Sequence, residues 1–220
     1  MTGESSADAA AAPGTLHVAL LGGFGVRVGS RAVPSSWRLR KSKTLVKLLA
    51  LADGHRAHRD VLAGVLWPGL DHAAAANNLH QALHAARRAL ASDRSPSADA
   101  LCLRDDIVIL WPDGDLIVDA DTFAAAAQRA LGSGSVEDYG AALKLYAGEL
   151  LPEDRYADWA APHRERLAAL HDALTAGQAR ALLERRRPEE AVALLEPLVT
   201  DRRRQPFRAG HAARRHRRVR

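Results

Sequence analysis

The 220-residue chain has a single cysteine, Cys102. One thiol excludes an internal disulfide and fits a reducing, cytoplasmic setting. Its place in a strand pattern suits a small core residue, because a reactive thiol needs a basic, exposed surrounding. Long apolar runs are also missing: no stretch of about 18 apolar residues occurs, so no membrane span or membrane partner is expected. The N-terminal MTGESSADAAAAPG carries Glu4 and Asp8 and lacks both a basic start and a strong apolar centre. It is not a secretory signal. Catalytic signatures are equally scarce. GGFGVRVG lacks the GxGxxG spacing, and a strand pattern follows it where a nucleotide loop needs a helix. His80 and His84 lie four apart and could share a metal, but no HExxH glutamate separates them and no third ligand stands out. His55 and His58 fall in a loop. No serine nucleophile motif or paired-carboxylate arrangement appears. The expectation is a non-enzyme with no catalytic residue, no metal and no cofactor.

The sequence does contain enough apolar residues, 47%, for a core, and charge that is unevenly placed. Residues 16–111 carry thirteen Lys/Arg against seven acids and six histidines besides. Residues 112–200 carry nine against sixteen, and residues 201–220 nine arginines against one acid. A basic segment, an acidic segment and an arginine-rich end follow one another. Such asymmetry points to an anionic partner for the basic part, although a solvated surface would show a similar modest excess.

Periodicity sets the element order. Leu16, Val18, Leu20 and then Phe24, Val26, Val28 alternate around Gly22 and Gly23, as in a strand hairpin, with a third short strand at Ala32–Val33. In WRLRKSKTLVKLLALADGH, Leu39, Leu45, Leu48, Leu49 and Leu51 share a helical face and Gly54 supplies a stop. HRDVLAGVLW, residues 58–67, predicts a second helix ended by Pro68. A third begins after Asp71. LCLR and IVILW then flank Asp105–Asp106 as a hairpin. Strands, three helices and a hairpin are the order of a winged helix-turn-helix with an extra N-terminal sheet.

The third helix, residues 74–90, carries the functional expectation. At about 100° per residue, Ala75, Leu79, Leu83, Ala86 and Leu90 form a core stripe. Asn77, Gln81, His84 and Arg88 lie opposite, beside Asn78, with His80 and Arg87 flanking. NNLHQALHAARRAL contains no acid. Asn and Gln pair with adenine edges, Arg with guanine, and flanking bases with phosphate. Taken alone the pattern also fits an amphipathic helix facing water; the three-helix context favours the DNA reading. Arg38, Arg40, Lys41, Lys43 and Lys47 cluster at the first helix, from which some would reach phosphates. Asp105 and Asp106 would repel a minor groove, which leaves Arg104 the only base in the wing.

The second half reads as helical. Asp119 or Asp121 caps DADTFAAAAQRAL. SVEDYGAALKLYAGELLPE predicts one helix with Leu143, Tyr146 and Leu150 on one side. A longer helix starts or bends near Pro162. ALLERRRPEEAVALLEPLV has the rhythm of a tetratricopeptide helical hairpin.

LRKSKTLVKLLAL, LWP at 66–68, NNLHQALHAARRAL, VDADTF at 118–123, LYAGELLPE at 145–153 and YADWAAPHRERL at 156–167 occur together and in order. With these the chain resembles the Streptomyces antibiotic regulatory protein family over roughly residues 16–200. The resemblance implies an α+β winged helix-turn-helix of the OmpR/PhoB type, the DNA-binding fold used in phosphorelays, followed by an all-α tetratricopeptide-like domain. It divides the chain into a disordered N-terminus (1–15), a DNA-binding domain (16–112), an incomplete bacterial transcriptional activation domain (113–200) and an Arg-rich disordered tail (201–220). It implies a cytoplasmic regulator, an activator of secondary-metabolite (antibiotic) genes, that binds double-stranded DNA as a dimer and recruits RNA polymerase. Carried over, Asn77, Gln81, His84 and Arg88 face the groove, and His80 and Arg87 lie near phosphate. His80 replaces the family's usual arginine, which makes that contact pH-sensitive. No GxxxxGK[ST] occurs, so the nucleotide-binding module of larger relatives is not expected. The tail departs from the family: DRRRQPFRAGHAARRHRRVR is either a basic arm adding sequence-independent affinity or the product of a disrupted frame that leaves the array uncapped. The second reading is preferred, because an uncapped array exposes apolar surface. Two other functions remain open: a helical interaction scaffold, and a truncated, non-functional regulator.

Overall fold

The computed structural model describes residues 14–91 and 100–204. The chain begins with β1 (Leu16–Ala19), β2 (Gly25–Val28) and β3 (Arg31–Ala32). Three helices follow, α1 (Arg40–Leu51), α2 (Arg59–Leu66) and α3 (His72–Leu90), with the short β4 (Arg56–His58) between the first two. The hairpin β5 (Leu101–Arg104) and β6 (Ile107–Leu110) comes next, then β7 (Leu116–Val118). The rest is helical: α4 (Asp119–Ser133), α5 (Val136–Leu143), α6 (Ala161–Glu184) and α7 (Pro188–Arg204). No helix among the described residues is long and apolar enough to cross a membrane.

Two strands lay outside the sequence reading. β4 pairs antiparallel with β6, so the wing is a three-stranded sheet of order β4-β6-β5. β7 pairs parallel with β1 and completes a four-stranded sheet of order β3-β2-β1-β7. Both are three residues long, too short for an alternation to declare itself. The strand expected at Ala32–Val33 is Arg31–Ala32.

The described residues form two compact units, one drawn from within residues 1–125 and 145–168, the other from within residues 126–144 and 169–220. In the first unit α3 packs on α1 and α2. Its core is aliphatic: Leu45, Leu49, Leu66, Leu79, Leu90, Leu101 and Leu110 are almost completely buried. Burying one such side chain contributes about 1.5–3 kcal/mol.

The segment read as the end of a long helix is not helical. α5 stops at Leu143. Gly148 has φ 148 and Leu151 φ 45, followed by Pro152, and a helix accommodates neither angle. Instead Leu150 bridges Leu21; the Gly22 amide donates to the Glu149 carbonyl at 2.9 Å, and the Leu151 amide to that of Leu20 at 2.9 Å. The double glycine thus does more than punctuate a hairpin. A Cβ on Gly22 would stand 2.9 Å from the Ala147 carbonyl oxygen. Asp119 also departs from its expected capping role: its carboxylate accepts the amides of Leu20 and Leu21 at 2.8 and 3.0 Å. Burial pushes its pKa up, against the lowering effect of these backbone bonds.

In the second unit Ser135 caps α5, accepting the Asp138 amide at 3.1 Å. Gly177 of α6 lies under Tyr139, where a Cβ would come within 2.7 Å of the ring. Arg185 holds Glu137 through 2.5 and 3.1 Å bonds. That hydrogen bond takes the exposed Glu137 carboxyl down to about 2. After α6 ends at Glu184, Arg186 takes the left-handed region, φ 59, before α7 begins. α7 runs to Arg204, four residues into the segment expected to be tail; the rest of that tail and the N-terminal residues 1–13 lie outside the described residues.

Candidate nucleic-acid interface

α3 is fixed at both ends and along one side. Asp71 caps its start, accepting the Ala74 amide at 2.8 Å. At its end an Arg31 guanidinium nitrogen donates to the carbonyls of Leu90 and Ala91 at 3.2 and 2.6 Å. These carbonyls are among the last four of a helix, which have no partner within it. The buried side is the expected stripe, Ala75, Leu79, Leu83, Ala86 and Leu90, widened by Ala82.

The opposite side is exposed: Asn77, His80, Gln81, His84 and Arg88 all face solvent, and Asn78 is half-buried. Among the described residues, the side chains of Asn77, Gln81, His84 and Arg88 make no hydrogen bond or ion pair. They form one row of donors and acceptors, held by a rigid apolar base and containing no acid. Arg87 is placed differently. It is half-buried, and its Nε donates to the Leu101 carbonyl at 2.8 Å, tying α3 to β5.

The basic cluster around α1 separates into different tasks. Lys41 Nζ donates to the Leu66 carbonyl at 2.5 Å and so caps α2. Lys43 stands 5.2 Å from the centroid of the Phe24 ring. Lys47 is 3% exposed, paired with Glu153 at 2.8 Å and with Asp154. Only Arg38 and Arg40 remain exposed and without such a partner among the described residues.

Beside α3 runs a groove of about 790 Å³. One wall is the loop from β3 to α1, from Val33 through Trp37 and Arg38 to Leu39. The other is α3 itself, through His80, Gln81, His84 and Arg88, with Ala85 and Ala89 between them. No acidic residue lines it. Arg40, Lys41 and Lys43 are not part of it, whereas Arg31, Ser36, Trp37 and Arg38 are. Sequence reasoning assigned no role to Arg31, Ser36 or Trp37. Arg31 lies in the two-residue β3, and Ser36 and Trp37 in the loop after it, all far from α3 in sequence, and no local periodicity marks them.

At the wing tip Asp105 and Asp106 take φ 47 and 65, the conformation of a tight two-residue hairpin turn. Arg59 Nε lies 3.1 Å from the Asp106 carboxylate. One of the two acids expected to repel a minor groove is therefore charge-compensated. Among the described residues no group of three or more His, Cys, Asp or Glu is arranged to hold a metal ion.

These elements define a winged helix-turn-helix followed by a helical region. The structure of Mycobacterium tuberculosis EmbR in complex with a low-affinity phosphopeptide has the same fold, with a TM-score of 0.70 and 22% identity over 88% of this chain and 51% of that one. This chain thus spans about half the length of that protein. No family model matches the chain, and no characterised protein sequence does either.

Proposed function

We propose that the chain is a sequence-specific DNA-binding transcriptional regulator that reads the major groove with α3. The observation that carries this reading is the acid-free, solvent-facing row Asn77, Gln81, His84 and Arg88 on a helix whose other side is core. An α-helix fits the major groove, where Asn and Gln address adenine and Arg addresses guanine. The fold shared with EmbR supports a regulator of the Streptomyces antibiotic regulatory type. Activation of secondary-metabolite genes, recruitment of RNA polymerase, dimerisation on DNA and a cytoplasmic location follow from that family resemblance and are part of the proposal. So is the role of the acidic, helical half as the activating region.

The test is a competition by fluorescence anisotropy between a duplex selected from a random pool by the full chain and a scrambled duplex. Gln81→Ala with Arg88→Ala is expected to lower the preference by about tenfold or more, since each good base contact gives roughly 1–3 kcal/mol of discrimination. The circular dichroism spectrum should not change. An unaltered preference in the double variant sinks the reading.

A further inference from the structure

We propose that the groove between α3 and the β3–α1 loop seats one sugar-phosphate strand of the bound duplex, with Ser36 and Arg38 as its backbone contacts. The inference rests on the DNA-binding reading and adds to it a second contacting element, outside the helix. A helix in the major groove is bordered by the two backbones, and phosphate contacts on either side fix its register. The groove opens directly onto the row that would read bases, sharing Gln81, His84 and Arg88 with it. Its far wall offers a guanidinium and a hydroxyl, Arg38 and Ser36, both exposed. Arg38 has no intramolecular partner among the described residues, so its charge is uncommitted. Arg31, by contrast, is held by the carbonyls at the end of α3. On the α3 wall the short Ala85 and Ala89 leave room for close approach, and on the loop wall Trp37 offers an apolar surface to deoxyribose. The lining lacks any carboxylate that would repel phosphate.

The geometry moves the backbone contact away from Lys41 and Lys43, which serve α2 and Phe24.

The experiment uses the full chain and three variants, Arg38→Ala, Arg38→Lys and Ser36→Ala. Each is titrated across a salt series against the selected duplex and against its scrambled counterpart. Removing one phosphate contact reduces the slope of log affinity against log salt by about 0.9. Arg38→Ala is expected to show that reduction on both duplexes and to weaken both by the same factor, while Arg38→Lys retains the wild-type slope. Ethylation interference should lose one phosphate in Arg38→Ala. Ser36→Ala is expected to weaken both duplexes equally. An Arg38→Ala slope and interference pattern identical to wild type overturns the proposal. A loss confined to the selected duplex also overturns it, because Arg38 would then be reading a base. Failure of the recognition reading looks different: the Gln81→Ala, Arg88→Ala chain keeps its preference, whatever the Arg38 slope does.

Discussion

Lys47 shows how little a residue's charge says about its task. It belongs to the basic set on and just before α1 of the winged helix, yet it is buried at 3% exposure and neutralised by Glu153 and Asp154. Burial alone would raise the Glu153 carboxyl, but the Lys47 hydrogen bond, with the charges of Lys47 and Lys43, outweighs it and the net shift is downward. A carboxylate depressed in the folded state contributes stability above its unfolded pKa and loses it as pH falls through the folded one. Lys47→Met is therefore expected to lose about 1–3 kcal/mol at neutral pH, below the full cost of a broken buried pair because both acids are partly hydrated. Urea midpoints at neutral pH and near pH ~3 check this: the gap between wild type and variant should narrow in acid.

At the scale of elements, the segment Leu145–Glu153 carries the clearest physical lesson. With Leu143 before it, the segment's Tyr146 and Leu150 imitate a helical face, but Leu150 and Leu151 are adjacent and both fully buried. Adjacent residues achieve this more readily in an irregular strap, here paired with the Leu20–Gly22 segment that follows β1, than on one helix. The strap depends on Gly22, whose φ of 75 and whose 2.9 Å clearance to the Ala147 carbonyl leave no place for a side chain. Gly22→Ala is expected to cost about 2 kcal/mol or more, since a strained angle alone costs of order 1–3 kcal/mol and a backbone oxygen gives way less readily than a side chain. A thermal melt measures it. Long periodic elements were legible in advance: α1, α2 and α3 begin and end within a few residues of their signals, and the exposed row on α3 is the one that the wheel indicates. What was not legible depends on partners far along the chain. β4 exists because β6 lies beside it, β7 because β1 does, and Arg31 contacts α3 only once the sheet has formed.

At the scale of the whole molecule, the order of units along the chain is interrupted. The first unit contains residues up to 125 and then 145–168, so its stability draws on segments on both sides of an excursion. A fragment of residues 14–112 lacks β7, the Asp119 carboxylate and the strap, which leaves β1 with an open edge and Lys47 without its acids. An open edge and an unpaired buried charge both favour aggregation or unfolding. That fragment is expected to elute largely as aggregate in size-exclusion chromatography, whereas a fragment of residues 14–168 should give a monodisperse peak and a cooperative melt. A soluble, cooperatively melting 14–112 would refute this dependence.

The pairing of β1 with β7 also has a consequence for how the protein is made. β1 leaves the ribosome about a hundred residues before the strand that closes its edge, and the strap that covers Gly22 follows later still. At synthesis rates of about 5–20 residues per second, β1 waits about 5–20 seconds for the strand that closes its edge, and the three helices are made within that interval. An unpaired strand edge is a template for aggregation, so a chaperone is expected to engage the nascent chain during that interval.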